Sequence, residues 1–208
     1  MINLLRQTTH AQKARKFLER FAVNIPFSAN QLTLSSILFA IIGFFTIYYN
    51  QLLSGFFLFL VAGFLDALDG AVARAKKQKT NLGFFLDGLS DRVVEFLFLL
   101  SFLFLPFPNI DKELTLFVLL FFSLIIPYMK AYADHSRALS HEKALKMSGL
   151  FERSERLIFF YLILVFFIGG YGNISSKLLL LSVLLTFLTF LQRFYYVLKQ
   201  HSKKINGK

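Results

Sequence analysis

The chain of 208 residues contains no cysteine. That absence excludes a disulfide framework, a thiolate metal site and a cysteine nucleophile. Its four histidines, His10, His135, His141 and His201, lack metal-ligand spacing and read as solvated positions. No repeat period and no low-complexity tract stands out. The first thirty residues have neither an apolar h-region nor a small-residue cleavage site, so they do not read as a signal peptide. Acidic residues are few, 12 against 23 Lys and Arg, giving a formal charge of +11.

What is present is apolar. Hydrophobic residues make up 56% of the chain and 28 residues are Phe, too many for a soluble domain that must still clothe its surface. Several runs approach or exceed the roughly 20 residues that cross a bilayer as a helix. The pattern predicts one all-α integral membrane domain with six transmembrane helices, roughly 32–50, 52–73, 82–105, 113–132, 157–172 and 177–198. The start of the fifth reaches back toward ERSERL, and Pro127 is expected to kink or end the fourth. Residues 1–30 form a cytoplasmic segment. Leu4, Leu5, Phe17, Leu18 and Phe21 among Lys13, Arg15, Lys16 and Arg20 predict an amphipathic helix on an anionic membrane surface. Residues 31–198 form the six-helix transmembrane domain, and 199–208 a basic cytoplasmic tail.

The basic residues are not spread evenly. The N-terminal segment carries five, the 74–81 loop four, the 130–156 segment six and the stretch from Arg193 five, whereas Lys112 and Lys177 stand alone in the remaining loops. The positive-inside rule then puts both termini in the cytoplasm. This distribution accounts for the charge without nucleic acid, and it favours anionic lipid and phosphorylated substrates. KKQK (76–79) reads as a loop touching headgroups, Tyr195 and Tyr196 as interfacial anchors, and the phenylalanines as lipid-facing and packing surface.

Against this background stands DALDGAVARAKKQKTNLGFFLDGLSD (66–91). On a helix Asp66, Asp69, Gly70 and Ala73 share one face, and so do Gly83, Asp87 and Asp91. The short loop makes the two helices antiparallel neighbours, so the carboxylates can converge. An ionised carboxylate in a span costs about 3 kcal/mol on insertion scales. Arg74 cannot neutralise four. Interhelical salt bridges to Arg74, Lys76 and Arg92 are the plain alternative. Hard oxygen ligands without His or Cys point instead to Mg²⁺, Mn²⁺ or Ca²⁺. A divalent metal beside a basic rim suggests chemistry on a phosphate or pyrophosphate.

The spacing D66-x2-D69-G70-x2-A73-R74-x8-G83-x3-D87-x3-D91 fills every position of the signature of the CDP-alcohol phosphotransferases, and the chain resembles that family. SANQLTLSS (28–36) is similar to the family's Pro-Asn-x-x-Thr segment, with Ala29 in the place of Pro. The resemblance implies attack by an acceptor alcohol on the β-phosphorus of a CDP-linked lipid, CDP-diacylglycerol or CDP-archaeol, with release of CMP. It implies that Asp66, Asp69 and Asp87 hold Mg²⁺ or Mn²⁺. Asp91 would complete a two-ion site and act as general base. Asn30, Thr33, Gly70, Ala73, Arg74 and Gly83 would shape the CDP site, and the protein would be a homodimer in a prokaryotic cell membrane with a cytoplasmic active site.

LDGLSDR (86–92) and GLFERSERLI (149–158) resemble the phosphatidylinositol-phosphate and archaetidylinositol-phosphate synthases more than the glycerol-phosphate branch. That implies a phosphorylated polyol acceptor, inositol phosphate, held by Lys130, Arg153, Arg156 and Arg193. Read without the resemblance, such basic residues are ordinary topology anchors, and Glu152 and Glu155 pair with basic neighbours. YMKAYAD (128–134) departs from the branch by placing Tyr132 where Arg is usual. Glycerol phosphate, serine or another alcohol acceptor, and a soluble CDP-inositol donor, are alternatives within the same chemistry. A cation-coupled transporter would place its carboxylates near the bilayer midplane on broken helices. Asp69 and Asp87 instead lie about 7–8 Å inside the cytoplasmic edge at 1.5 Å per residue. An intramembrane prenyltransferase would use a different Asp spacing, and a non-catalytic scaffold would not need every signature position.

Overall fold

The computed structural model describes residues 22–77 and 80–206. Every regular element among them is helical, and they fall into two compact units that divide between Leu105 and Pro106. In the first unit, α1 (Ala29–Tyr48) opens on a capping box. Ser28 Oγ accepts from Gln31 N at 3.3 Å and Gln31 Oε1 accepts from Ser28 N at 2.9 Å, so two otherwise unpaired amide groups are satisfied together. The chain then reverses through Asn50 (φ 62°), a residue type that tolerates the left-handed region. Amide bonds from Asn50 to Ile47 O and from Gln51 to Thr46 O close the helix end.

Helix α2 (Leu52–Ala75) packs closely on α1. A Cβ at Gly43 would lie 3.2 Å from the Phe59 ring, and one at Gly55 would overlap Ile47. Helix α3 (Asn81–Ser101) starts at Thr80, whose hydroxyl accepts from Gly83 N at 2.9 Å, and a 3-10 turn, Phe102–Phe104, follows it. Phe59 and Phe98 stack at 4.2 Å between α2 and α3.

The second unit comprises α4 (Lys112–His135), the short α5 (His141–Leu145), α6 (Arg153–Ile168) and the long α7 (Gly172–Asn206). Both α4 and α6 pack against α7. Ser175 donates to Ile163 O at 3.0 Å, and Thr189 Oγ1 accepts from Phe151 N at 2.9 Å. Gly170, at φ +82°, ends α6 in a turn where a side chain would be strained.

The surface is inverted relative to a water-soluble bundle. Ser36, Ser90, Ser123, Ser182, Thr186 and Thr189 are buried, while large side chains such as Phe57, Phe84 and Phe117 are exposed. Small polar residues between helices and apolar ones outside are what lipid demands. The chain is an integral membrane protein.

Among the described residues four helices, α1, α2, α4 and α7, are long and apolar enough to cross a membrane by themselves. Two expected spans fall short by that measure. Helix α3 carries Asp87, Asp91, Arg92 and Glu95, and α6 has only 16 residues, about 24 Å of helix against a core of about 30 Å. Helix α6 does begin in the ERSERL segment. Pro127 does not end α4, which runs eight residues further to His135. The basic tail is helical as far as Asn206, continuous with α7. The amphipathic segment expected within residues 1–21 lies outside the described residues.

Candidate active site

Helix periodicity puts the signature residues of α2 and α3 on facing sides, and their carboxylates meet. Asp66, Asp69 and Asp87 each offer an oxygen, and these oxygens lie within 4.8 Å of one another. Asp69 is 3% exposed and accepts a 2.5 Å hydrogen bond from Thr33 Oγ1 on α1. The same hydroxyl also lies 3.0 Å from Ala29 O, so Thr33 ties Asp69 to the first turn of α1.

Beside the cluster is a cavity of about 310 Å³. It is lined by Asn30 and Thr33 of α1, by Asp69, Gly70, Ala73 and Arg74 of α2, and by Gly83 and Asp87 of α3. All six residues expected to shape a CDP site therefore face one space. The glycines keep it open. A Cβ at Gly83 would stand 3.1 Å from Thr80 Oγ1 and 3.4 Å from Asn30 Oδ1, and one at Gly70 would crowd Arg74 Nη1 at 3.1 Å. Ala29, Thr80 and Phe84 also line the cavity and were not anticipated. A helix-start signal could have found Thr80, because Thr before an apolar run is a frequent N-cap.

Asp91 lies one turn beyond Asp87 on α3, outside the three-oxygen cluster, and Arg92 Nη2 approaches its Oδ2 at 3.4 Å. Of the cations weighed as salt-bridge partners, Arg92 thus pairs with Asp91, within one helix rather than between two. Arg92 also contacts Glu95 at 3.1 Å, and Lys76 Nζ donates to the carbonyls of Ile25 at 2.6 Å and Phe27 at 3.1 Å. Lys76 therefore turns inward onto the segment before α1.

The four cations expected at an acceptor phosphate all belong to the second unit, and their contacts differ. Arg193 is buried, donating through Nη1 to Ile126 O at 2.8 Å and through Nη2 to both Glu152 oxygens at 2.6 and 2.8 Å. Arg156 is buried and donates to Phe151 O at 3.2 Å. Arg153 is half-buried in the first turn of α6, and Lys130 Nζ reaches Leu145 O at 3.3 Å. The ionic partner of Glu152 is thus Arg193, on another helix, and Glu152 Oε1 also accepts from Gly149 N.

The sequence model of the family described as CDP-alcohol phosphatidyltransferase matches residues 27–189. The chain belongs to this family. It is a CDP-alcohol phosphotransferase of phospholipid synthesis. Among the relatives of this phosphotransferase, the archaetidylinositol phosphate synthase of Pyrococcus horikoshii is 32% identical over 192 residues, 90% of this chain and 94% of that one. The phosphatidylinositol phosphate synthase of Mycobacterium tuberculosis with CDP-DAG bound shares its fold. The TM-score is 0.71 at 21% identity, over 89% of this chain and 94% of that one. The same enzyme in complex with manganese and citrate matches with a TM-score of 0.67 at 22% identity, over 88% of each chain.

The donor set of the phosphotransferase fits a divalent cation. Three converging carboxylates are hard oxygen ligands of the kind that Mg²⁺ and Mn²⁺ take, and among the described residues no nitrogen or sulfur ligand joins them.

Proposed function

We propose that this protein transfers the substituted phosphate of a CDP-linked lipid, CDP-archaeol or CDP-diacylglycerol, to a hydroxyl of inositol phosphate, releasing CMP. The observation that carries this reading is the convergence of Asp66, Asp69 and Asp87 beside a cavity lined by the remaining signature residues. The name of the Pyrococcus relative and the ERSERL segment favour the inositol-phosphate acceptor.

Asn30, Thr33, Gly70, Ala73, Arg74 and Gly83 hold the CDP moiety, with Arg74 as the cation facing its phosphates. Asp66, Asp69 and Asp87, with Asp91 completing the set, hold two Mg²⁺ or Mn²⁺ ions, which when bound neutralise the diphosphate oxygens and ease departure of CMP. Asp91 takes the proton of the acceptor hydroxyl as its oxygen bonds to the β-phosphorus and the bond to the CMP oxygen breaks. Lys130, Arg153, Arg156 and Arg193 bind the acceptor's phosphate, and Arg193 and Arg156 also hold the start of α6 through Glu152 and Phe151 O.

The same reading gives the protein six spans, with α3 and α6 crossing alongside the four longer helices. It places both termini and the active site in the cytoplasm, residues 31–198 as the catalytic domain, and the functional form as a homodimer. Charged residues on α3 suit a span that lines a site rather than one that faces lipid.

The test is CMP release by detergent-purified protein with CDP-archaeol or CDP-diacylglycerol and Mg²⁺ or Mn²⁺. Inositol 1-phosphate, glycerol 3-phosphate and serine are supplied separately, and Asp91→Asn is the control. Metal-dependent release with inositol 1-phosphate alone is the expected result. Release with another acceptor overturns the assignment of the acceptor site and leaves the aspartate chemistry standing.

A further inference from the structure

Glu95 is a carboxylate that neither the signature nor the cavity uses. It lies on α3 one turn beyond Asp91 and is 3% exposed, in a helix otherwise continued by Phe96, Leu97 and Phe98. An acid so placed is costly unless something compensates it. Arg92 does so through Nη1, 3.1 Å from Glu95 Oε2, while its Nη2 lies 3.4 Å from Asp91 Oδ2. One guanidinium thus joins the buried acid to the aspartate one turn beyond the carboxylate cluster. Arg92 and Asp91 are each 23% exposed in their side chains, so the inner end of this chain of charges is its most sheltered part.

A simple ion pair would need only Arg92 and Glu95. The second nitrogen adds a further consequence. Free in solution, an arginine side chain has many rotamers. Held at i, i+3 by a buried partner it keeps one, and its remaining edge then points at Asp91. We propose that Glu95 and Arg92 are positioning residues that orient the carboxylate of Asp91 for proton abstraction and metal ligation. This rests on the reading of Asp91 given above. Neither residue touches substrate in this proposal.

The discriminating variant removes the pair without leaving a lone buried charge. Arg92→Met with Glu95→Leu keeps the net charge, and replacing a buried ion pair by apolar residues of similar size is often neutral for stability. Two quantities are read on the full-length purified protein: Mn²⁺ affinity by paramagnetic resonance without substrate, and kcat with the KM for CDP-diacylglycerol. If the pair orients Asp91, the double variant binds Mn²⁺ about tenfold more weakly and loses about 10–100-fold in kcat, the range for groups that hold a metal ligand in place. The donor KM stays within about twofold, because the residues expected to hold CDP are untouched.

Placed on Asp91→Asn, the same double change alters Mn²⁺ binding no further, since there is no longer a carboxylate to orient. Glu95→Asp restores part of what Glu95→Gln loses. Unchanged Mn²⁺ affinity and kcat in a folded double variant would overturn the proposal and leave the pair as charge compensation alone. The Asp91→Asn protein separates this failure from failure of the underlying reading. If that variant still turns over, Asp91 is not the base. If it is dead while the double variant is active, only the positioning role falls. Should the double variant not fold, Glu95→Gln and Arg92→Lys, checked by thermal unfolding, give the same two readouts.

Discussion

Thr33 shows how much depends on a single hydroxyl. It is buried, and it donates to Asp69 Oδ2 at 2.5 Å while resting against Ala29 O. Valine has nearly the same shape but no donor. Thr33→Val therefore leaves a buried carboxylate oxygen without its proton donor and frees Asp69 to rotate away from Asp66 and Asp87. The expected loss is about tenfold or more in Mn²⁺ affinity, with Thr33→Ser close to wild type, measured by titration of the purified protein. At this scale the signature made the cluster legible, because residues three, four and eight apart share a helix face whatever the rest of the fold does. The arginines were not legible in the same way. Arg193 reaches Ile126 and Glu152, which are 67 and 41 residues away, and local periodicity carries no information about where so long a side chain comes to rest.

Among the elements, the start of α1 matters more than its composition suggests, because Asn30 and Thr33 reach the cavity from there. Lys76 holds it. Its ammonium bonds the carbonyls of Ile25 and Phe27, joining the C-terminal end of α2 to the segment before Ser28. In the sequence Lys76 was one of several loop cations, and nothing local distinguishes a lysine that touches headgroups from one that ties two helices. Lys76→Met keeps the aliphatic stem and removes the charge. It is expected to lower stability by about 1 kcal/mol and to raise the KM for the CDP-linked donor several-fold with little change in kcat, as α1 loosens against the cavity. Detergent thermal unfolding and steady-state kinetics check the two parts separately. Gly55 tests the contact between α1 and α2 themselves. A methyl there overlaps Ile47, so Gly55→Ala is expected to destabilise the first unit by about 1–3 kcal/mol, read as a lower unfolding midpoint at unchanged metal affinity.

For the whole molecule the number of bilayer crossings sets where the site lies, and the absence of cysteine makes it directly measurable. The six long helices and most of their boundaries were legible from apolar run lengths, but the short α5 and the number of crossings were not. The α3 run is interrupted by the acids and the arginine that its chemistry needs, and α6 is shorter than a bilayer is thick. Two loops separate the possibilities. With six crossings and a cytoplasmic N-terminus, Asn109 lies outside and Ser140 inside. With only the four long apolar helices crossing, α3 and α6 stay on one side and both assignments reverse: Asn109 lies inside and Ser140 outside. Single Asn109→Cys and Ser140→Cys variants each carry the sole thiol of the protein, so a membrane-impermeant maleimide applied to intact cells reports one position at a time. Six crossings predict labelling at 109 and protection at 140 until the membrane is opened. The basic residues agree with that outcome, since Arg137, Lys143 and Lys146 share the 140 side while Lys112 is the sole basic residue near 109. The opposite labelling pattern would leave α3 uncrossed, and the carboxylate cluster would then have to be built on a helix lying at the membrane surface.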